Sequence, residues 1–330
     1  MSPRERVLAT LEGKVADRVP WVELYVQDGM AEKILNRPVK YPTGVRLGLE
    51  IHEKLAIDNV SYDLRPPLYG EIVNIKGQAT VKTPWLKTHD DVKKLRDWLP
   101  DPTKDELYEN AYTLLKNKGD FAATASVRFG IAAVYNSMGY EDFIFNMEDD
   151  PELIQESLDV YCGWAEKVIE RINTMDFDVI ISSEDIAFKS NPMVTRDQYL
   201  EHIFPRASKV AQKVARPLIY HSDGFFEPLI DVVLQYHPKA LANMEPPEMD
   251  MVKIKAKYGN KVALMGNIDL NYTLTRGTVE ETTAECKERL LSLKPGGGYI
   301  YATANGIVNY CIPENVMAMH EALMQYGWYE

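Results

Sequence analysis

The chain has 330 residues, enough for one large α/β barrel or two average domains, and its 45% hydrophobic and 26% charged residues can bury a sizeable core. With 37 basic against 49 acidic side chains the net charge is −12, which argues against the basic footprint that nucleic acid or an anionic membrane surface requires. Three scattered cysteines (Cys162, Cys286, Cys311), no signal-like apolar leader and no run long enough to span a bilayer make a reducing, cytoplasmic setting the expectation.

Ser2-Pro-Arg-Glu5 reads as a helix start, with Ser as cap, Pro in the first turn and Glu closing a capping box. That helix runs to Gly13, and 19–24 reads as a first strand. Residues 42–54 read as helix, 54–62 hold a second strand, and 68–83 alternate like a small hairpin inserted over the barrel mouth. Helices near 90–98 and 103–118 lead to a third strand at 121–125. Short helices follow over 129–145, then a long amphipathic helix over 151–175 with Pro in its first turn. From 177 the rhythm is strict. Strands near 177–182, 217–221, 240–243, 262–266 and 299–302 alternate with helices near 195–215, 226–235, 249–258, 278–291 and 313–326.

Strict strand–helix alternation predicts a parallel sheet. Eight such strands, the first three centred on Trp21, Val60 and Ala123, predict a single α/β domain over 1–330, a closed (β/α)8 TIM-type barrel. An open doubly wound sheet is the alternative, but it expects a glycine-rich first turn, and Tyr25-Val-Gln-Asp-Gly29 is not one.

A buried parallel strand is apolar along its length. Polar residues at the strands' carboxyl ends therefore gather at the barrel's active-site face. His221-Ser-Asp-Gly224 is the sharpest such signal, readable as a metal-ligand pair, as a general base with its orienting carboxylate, or as a structural His beside a helix-capping Asp. Glu184 and Asp185 end the previous strand, and adjacent acids point in different directions, so one of them is expected to face the pocket. Glu245, stiffened by the prolines after it, Asn267, Asp269 and Asn305 end later strands. Imidazole, carboxylate and thiolate all serve zinc, so Cys311 is a further candidate ligand. Gly296-Gly-Gly298 precedes a strand and reads as a turn. Cys162 reads as core and Cys286 as incidental on a charged helix face. His52, His89, His202, His237 and His320 have no partner implied by spacing.

In this order, Arg4 to Gly13 with Asp17-Arg-Val-Pro20, Gly139-Tyr-Glu-Asp-Phe143 with Asp150-Pro151, and His221 to Gly224 resemble the uroporphyrinogen decarboxylase superfamily. Lys253 to Gly259 leading into Leu264 to Asp269, Gly277 to Glu281, and Pro313 to Met319 continue the match over nearly the full chain. The resemblance implies a single barrel. The true decarboxylases bind their polycarboxylate through an arginine-bearing segment after the first strand. Here that stretch, Glu23 to Gly29, has no arginine and two acids, which disfavours such a substrate by like-charge repulsion.

The corrinoid-dependent methyltransferase branch is implied instead. Its thiol-methylating members carry Cys where this chain has Asp223 and Asn305, so the demethylating members, whose metal ligands include carboxylates, are the better match. The expectation is a methyltransferase moving methyl from a small donor, such as a methoxylated aromatic, to a corrinoid protein partner. Zinc would be held by His221 with Glu184, Asp185 or Asp223, while Tyr135, Glu245, Asn267 and Asn305 would line the pocket and orient substrate. A decarboxylase acting on another substrate, a methylcobamide:thiol methyltransferase, and a barrel binding a ligand without chemistry stay open. So does a homodimer.

Overall fold

The computed structural model describes residues 1–39, 49–75 and 78–330. Its strands are β1 (Asn59–Asp63), β2 (Gly70–Ile75), β3 (Gln78–Pro84), β4 (Ala122–Val127), β5 (Val179–Ser183), β6 (Leu218–Ser222), β7 (Ala240–Asn243), β8 (Ala263–Ile268) and β9 (Tyr299–Thr303). Seven of them form one curled, all-parallel sheet in the order β1-β4-β5-β6-β7-β8-β9, while β2 and β3 pair antiparallel as the expected hairpin. The parallel strands are buried on both faces, as their apolar composition demands.

Successive side chains alternate across the sheet. Val179 and Ile181 of β5, Ala240 and Ala242 of β7 and Ile300 and Ala302 of β9 face one small cluster inside the curl. Val7 and Leu11 of the first helix (Pro3–Leu11) enter that same cluster and close its amino-terminal end. The opposite faces pack against the helices, chiefly Pro151–Asn173, Val279–Leu293 and Pro313–Tyr326. The expected capping box forms, with Ser2 accepting from the amide of Glu5, and Thr278 likewise accepts from that of Glu281.

The expected strand at 19–24 requires correction. Trp21 makes only an isolated parallel bridge to Tyr301. Backbone bonds reach both edges of the sheet: Val22 N–H donates to Tyr301 O (3.0 Å), Tyr301 N–H to Pro20 O (2.8 Å), and Asp58 N–H to Trp21 O (2.7 Å). Pro20 has no N–H for a ladder. On the β1 side the Asn59 side chain replaces backbone pairing, accepting from Glu23 N–H and donating to Glu23 O, both at 2.9 Å.

The helix expected over 42–54 is seen over Leu49–Leu55, and residues 42–48 lie outside the described residues. Cys286 is also corrected: it is fully buried, because its helix face packs on the sheet. Cys162 is core, its thiol donating to Phe129 O. Gly296, Gly297 and Gly298 all take positive φ in a tight turn before β9. His89 does have partners, lying 2.8 Å from Glu156 and 3.2 Å from Asp150. Among the described residues no helix is long and apolar enough to cross a membrane.

Candidate metal and active site at the strand ends

Register sets the site. Ser183 of β5 lies opposite His221 of β6, so the residues just beyond β5 face those ending β6. The chain turns sharply after Glu184, with Asp185 in a left-handed conformation (φ 45°). This splits the adjacent acids. Asp185 swings toward His221, placing its Oδ1 3.2 Å from Nε2, and Asp223 Oδ1 stands 3.6 Å from the same nitrogen. One ligand atom from each of Asp185, His221 and Asp223 falls within 4.8 Å of the others.

Glu184 does not share this cluster. Its Oε1 accepts from Ser182 Oγ (2.8 Å) and from the amide of Phe129, tying β5 to the chain after β4. Its Oε2 is buried without a hydrogen-bond partner.

The turn after His221 depends on Gly224, at φ +77°. A Cβ there would stand 2.6 Å from the carbonyl oxygens of Ala187 and Phe188, so a larger residue would push the two loops apart. Asp223 is not a helix cap. Its amide donates to Asp185 Oδ1 (3.1 Å), and its Oδ2 accepts from Asn305 Nδ2 (2.7 Å). Asn305 is held in turn by the Tyr25 hydroxyl (3.3 Å) and, through its carbonyl, by Asn243 Nδ2 (3.1 Å).

Glu245 accepts from Gly224 N–H (3.3 Å) and lies 3.4 Å from Lys189. Asn267 is buried and donates to Met244 O, while Asp269 accepts from the amides of Asn271 and Tyr272 as a turn cap. Tyr135 is buried, with its hydroxyl donating to Glu184 O (3.3 Å). Cys311 is buried outside the cluster, and burial pushes its thiol up to about 11. A cavity of about 560 Å³ opens beside Asn305, lined by Tyr25, Glu245, Leu270 and Tyr310 among others.

The electrostatics of the trio are mixed. Burial would lower the imidazole of His221, but the Asp185 contact and the Asp223 charge outweigh it and raise it above its ordinary value. Burial would raise Asp185, yet bonding to His221 and the imidazolium charge hold it at about 2. Asp223 is pushed up to about 7 by burial and then by the Asp185 charge. Asp185 is thus the ionised acid and Asp223 the one that holds a proton more easily, although both keep about a third of their side-chain surface open, 32% and 31%. Burial also lifts Glu184 to about 7.

His221 Nδ1 and Asp223 Oδ1 are buried without hydrogen-bond partners, which is costly unless something else completes the site. One imidazole and two carboxylates are a donor set that a divalent metal ion accepts.

Two arginines escaped the sequence reading. Arg65 follows β1 and Arg128 follows β4, and the charges of both act on the trio. The signal was available, since both stand one or two residues past a strand end, where His221 and Asp185 drew attention. The acids of 23–29 also sit differently from expectation. Glu23 is fully buried, bonded to Trp21 Nε1, Thr303 N–H and Thr303 Oγ1, and Asp28 opens the helix Asp28–Leu35.

Over 98% of its length the chain is 23% identical to a methylcobamide:CoM methyltransferase, MtaA, of Methanosarcina barkeri, of which the match covers 98%. Its fold superposes on a solved methyltransferase from Methanosarcina mazei with a TM-score of 0.79 at 20% identity, covering 99% of each chain. The family model described as Uroporphyrinogen decarboxylase (URO-D) matches residues 70–326. That span is well over half the chain, and the protein belongs to the uroporphyrinogen decarboxylase family.

Proposed function

We propose that this protein is a corrinoid-dependent methyltransferase, a single (β/α)8 barrel over 1–330 in which the 20–23 segment completes the wall between β9 and β1. It moves methyl from a small methylated donor, a methoxylated aromatic or similar, to a corrinoid carried by a separate protein. The observation that carries the reading is the Asp185–His221–Asp223 trio at the carboxyl ends of adjacent strands, with two of its polar atoms buried and unpartnered. The relative whose name denotes methyl transfer from a methylcobamide supports corrinoid-dependent methyl transfer in general.

Zinc held by Asp185, His221 and Asp223 would supply Lewis acidity toward the donor's leaving oxygen. The chain's own residues prepare that place. Asn305 holds Asp223 Oδ2, which leaves Oδ1 on the His221 side. Glu184 braces the turn from which Asp185 projects, by joining Ser182 to the amide of Phe129. Glu245 fixes the Gly224 amide and, with Asn305 and Tyr25, lines the cavity beside the trio. Tyr135 and Asn267 are buried supports of this shell.

Elemental analysis of purified wild type and His221→Ala, alongside corrinoid absorbance during incubation with a panel of methyl ethers, tests the reading. About one zinc per wild-type chain, far less in the variant, and methylation of the corrinoid carrier are expected. Wild type that binds no metal and methylates no carrier would overturn it. Thiol methylation is the second reading, favoured by the name of the MtaA relative. In this chain the positions where thiol-methylating members carry Cys are Asp223 and Asn305, which contact each other at 2.7 Å. Methyl passing from the corrinoid to an added thiol, with no ether accepted, would establish that reading.

A further inference from the structure

We infer that Arg128 receives a carboxylate on the substrate, so that the donor is an aromatic ether acid rather than a neutral ether. This deepens the methyl-transfer reading and rests on it for what happens at the other end of the molecule. Asp63 and Ser126 are paired in register on neighbouring strands, and Leu64 N–H donates to Ser126 O (2.8 Å). Arg65 and Arg128 each stand two residues beyond that pair, so both guanidinium groups start from the same stretch of the rim.

Their situations differ. Arg65 is engaged by Asp63, Nε to Oδ1 at 2.8 Å and Nη2 to Oδ2 at 2.5 Å. Asp185 is engaged by His221. Arg128 forms no ion pair with any described residue, and its Nε is buried without a hydrogen-bond partner. A desolvated guanidinium nitrogen without an acceptor costs stability. Its terminal nitrogens form a planar fork that matches the two oxygens of a carboxylate.

An aromatic wall stands beside it. Tyr140 is 45% exposed, stacks on Tyr135 with centroids 4.9 Å apart, and meets Phe188, 41% exposed, at 6.2 Å. The Tyr135 hydroxyl reaches the carbonyl of Glu184, and the Phe188 carbonyl accepts from Phe225 N–H (2.8 Å), just past Gly224. The wall thus abuts both loops that supply the Asp185–His221–Asp223 trio. The charge of Arg128 is felt by Tyr135, Tyr140 and Asp185 alike. A ring lying on Tyr140 and Phe188 with its carboxylate on Arg128 would direct a ring methoxyl toward the trio.

Calorimetric titration of the purified full chain with 4-methoxybenzoate, its neutral amide and 4-methoxybenzenesulfonate tests this without any turnover. Failure of the methyl-transfer reading would therefore leave the result interpretable. Wild type is expected to bind the carboxylate roughly tenfold or more tighter than the amide, the scale of a charge-assisted pair. Arg128→Gln should bind the two alike, and Arg128→Lys should keep part of the preference. Equal binding of acid and amide by wild type, no binding of the acid, a preference for the sulfonate, or an acid preference surviving in Arg128→Gln would each overturn the inference. Should Arg128→Gln melt early, the wild-type ratio and Arg128→Lys decide.

Discussion

The two ends of the sheet both bury charge, but they treat it differently. At the amino end Asp58 accepts from Arg6 Nη1 (2.6 Å), Arg18 Nη1 (3.0 Å), Arg18 Nη2 (3.1 Å) and the amide of Trp21 (2.8 Å). Asp17 takes the remaining face of Arg6 through Nε (2.6 Å) and Nη2 (2.9 Å). At the carboxyl end His221 Nδ1, Asp223 Oδ1, Glu184 Oε2, Arg128 Nε and the side-chain oxygens of Asn243 and Asn267 are buried without partners. A network that satisfies itself contributes to the fold, whereas one left incomplete spends stability on readiness for something from outside. The contrast follows the rule for parallel α/β sheets that ligands bind outside the carboxyl ends of the strands.

The largest expected effect comes from breaking the complete network. Asp58→Ala strands the buried guanidinium of Arg18 and takes one of two carboxylates from that of Arg6, and urea unfolding should show a loss of about 3–5 kcal/mol. A loss below about 1 kcal/mol would mean that this end is not the closed unit described. His221→Ala should remove the bound metal, and because Asp185 and Asp223 keep about a third of their surface open to water, the urea midpoint of metal-free protein should fall by less than in Asp58→Ala. A large stability loss with metal retained would erase the contrast.

Asn305→Ala is subtler. It frees Asp223 Oδ2, and because outer partners orient ligands, metal affinity should fall by roughly 10- to 100-fold in a chelator competition. Unchanged affinity would show that Asn305 does not position the trio.

The smallest effect sharpens what "satisfied" means. Glu23 has all its hydrogen bonds but no countercharge, and burial lifts it from its ordinary 4.5 to about 7. Its folded value is the higher one, so the stability it contributes is complete below pH 4.5 and is lost as pH rises through 7. Thermal melting should therefore decline from pH 5 to pH 8 more in wild type than in Glu23→Gln. Parallel profiles would mean that Glu23 is already ionised in the fold.

Much of the site was legible because the strand pattern puts polar residues at carboxyl ends, and His221, Asp223 and Asn305 follow from it. The choice between Glu184 and Asp185 did not, since it depends on the left-handed backbone at Asp185. Cys286 looked incidental beside its charged neighbours, but the helix turns it into the core. The segment at 19–24 carries a strand's apolar residues, yet side-chain bonds from Asn59 supplant the ladder.

The acids between 23 and 29 argued against a polycarboxylate substrate while they were read as pocket residues. In the structure Glu23 is bonded into the wall, and arginines arrive from two other strands. Local chain order alone determined the strand–helix rhythm and the polar strand ends, because periodicity and capping act over a few residues. Only the tertiary structure brought Arg65 to Arg128 and Asp185 to His221, because strand register acts between residues far apart in the chain and local sequence carries no record of it.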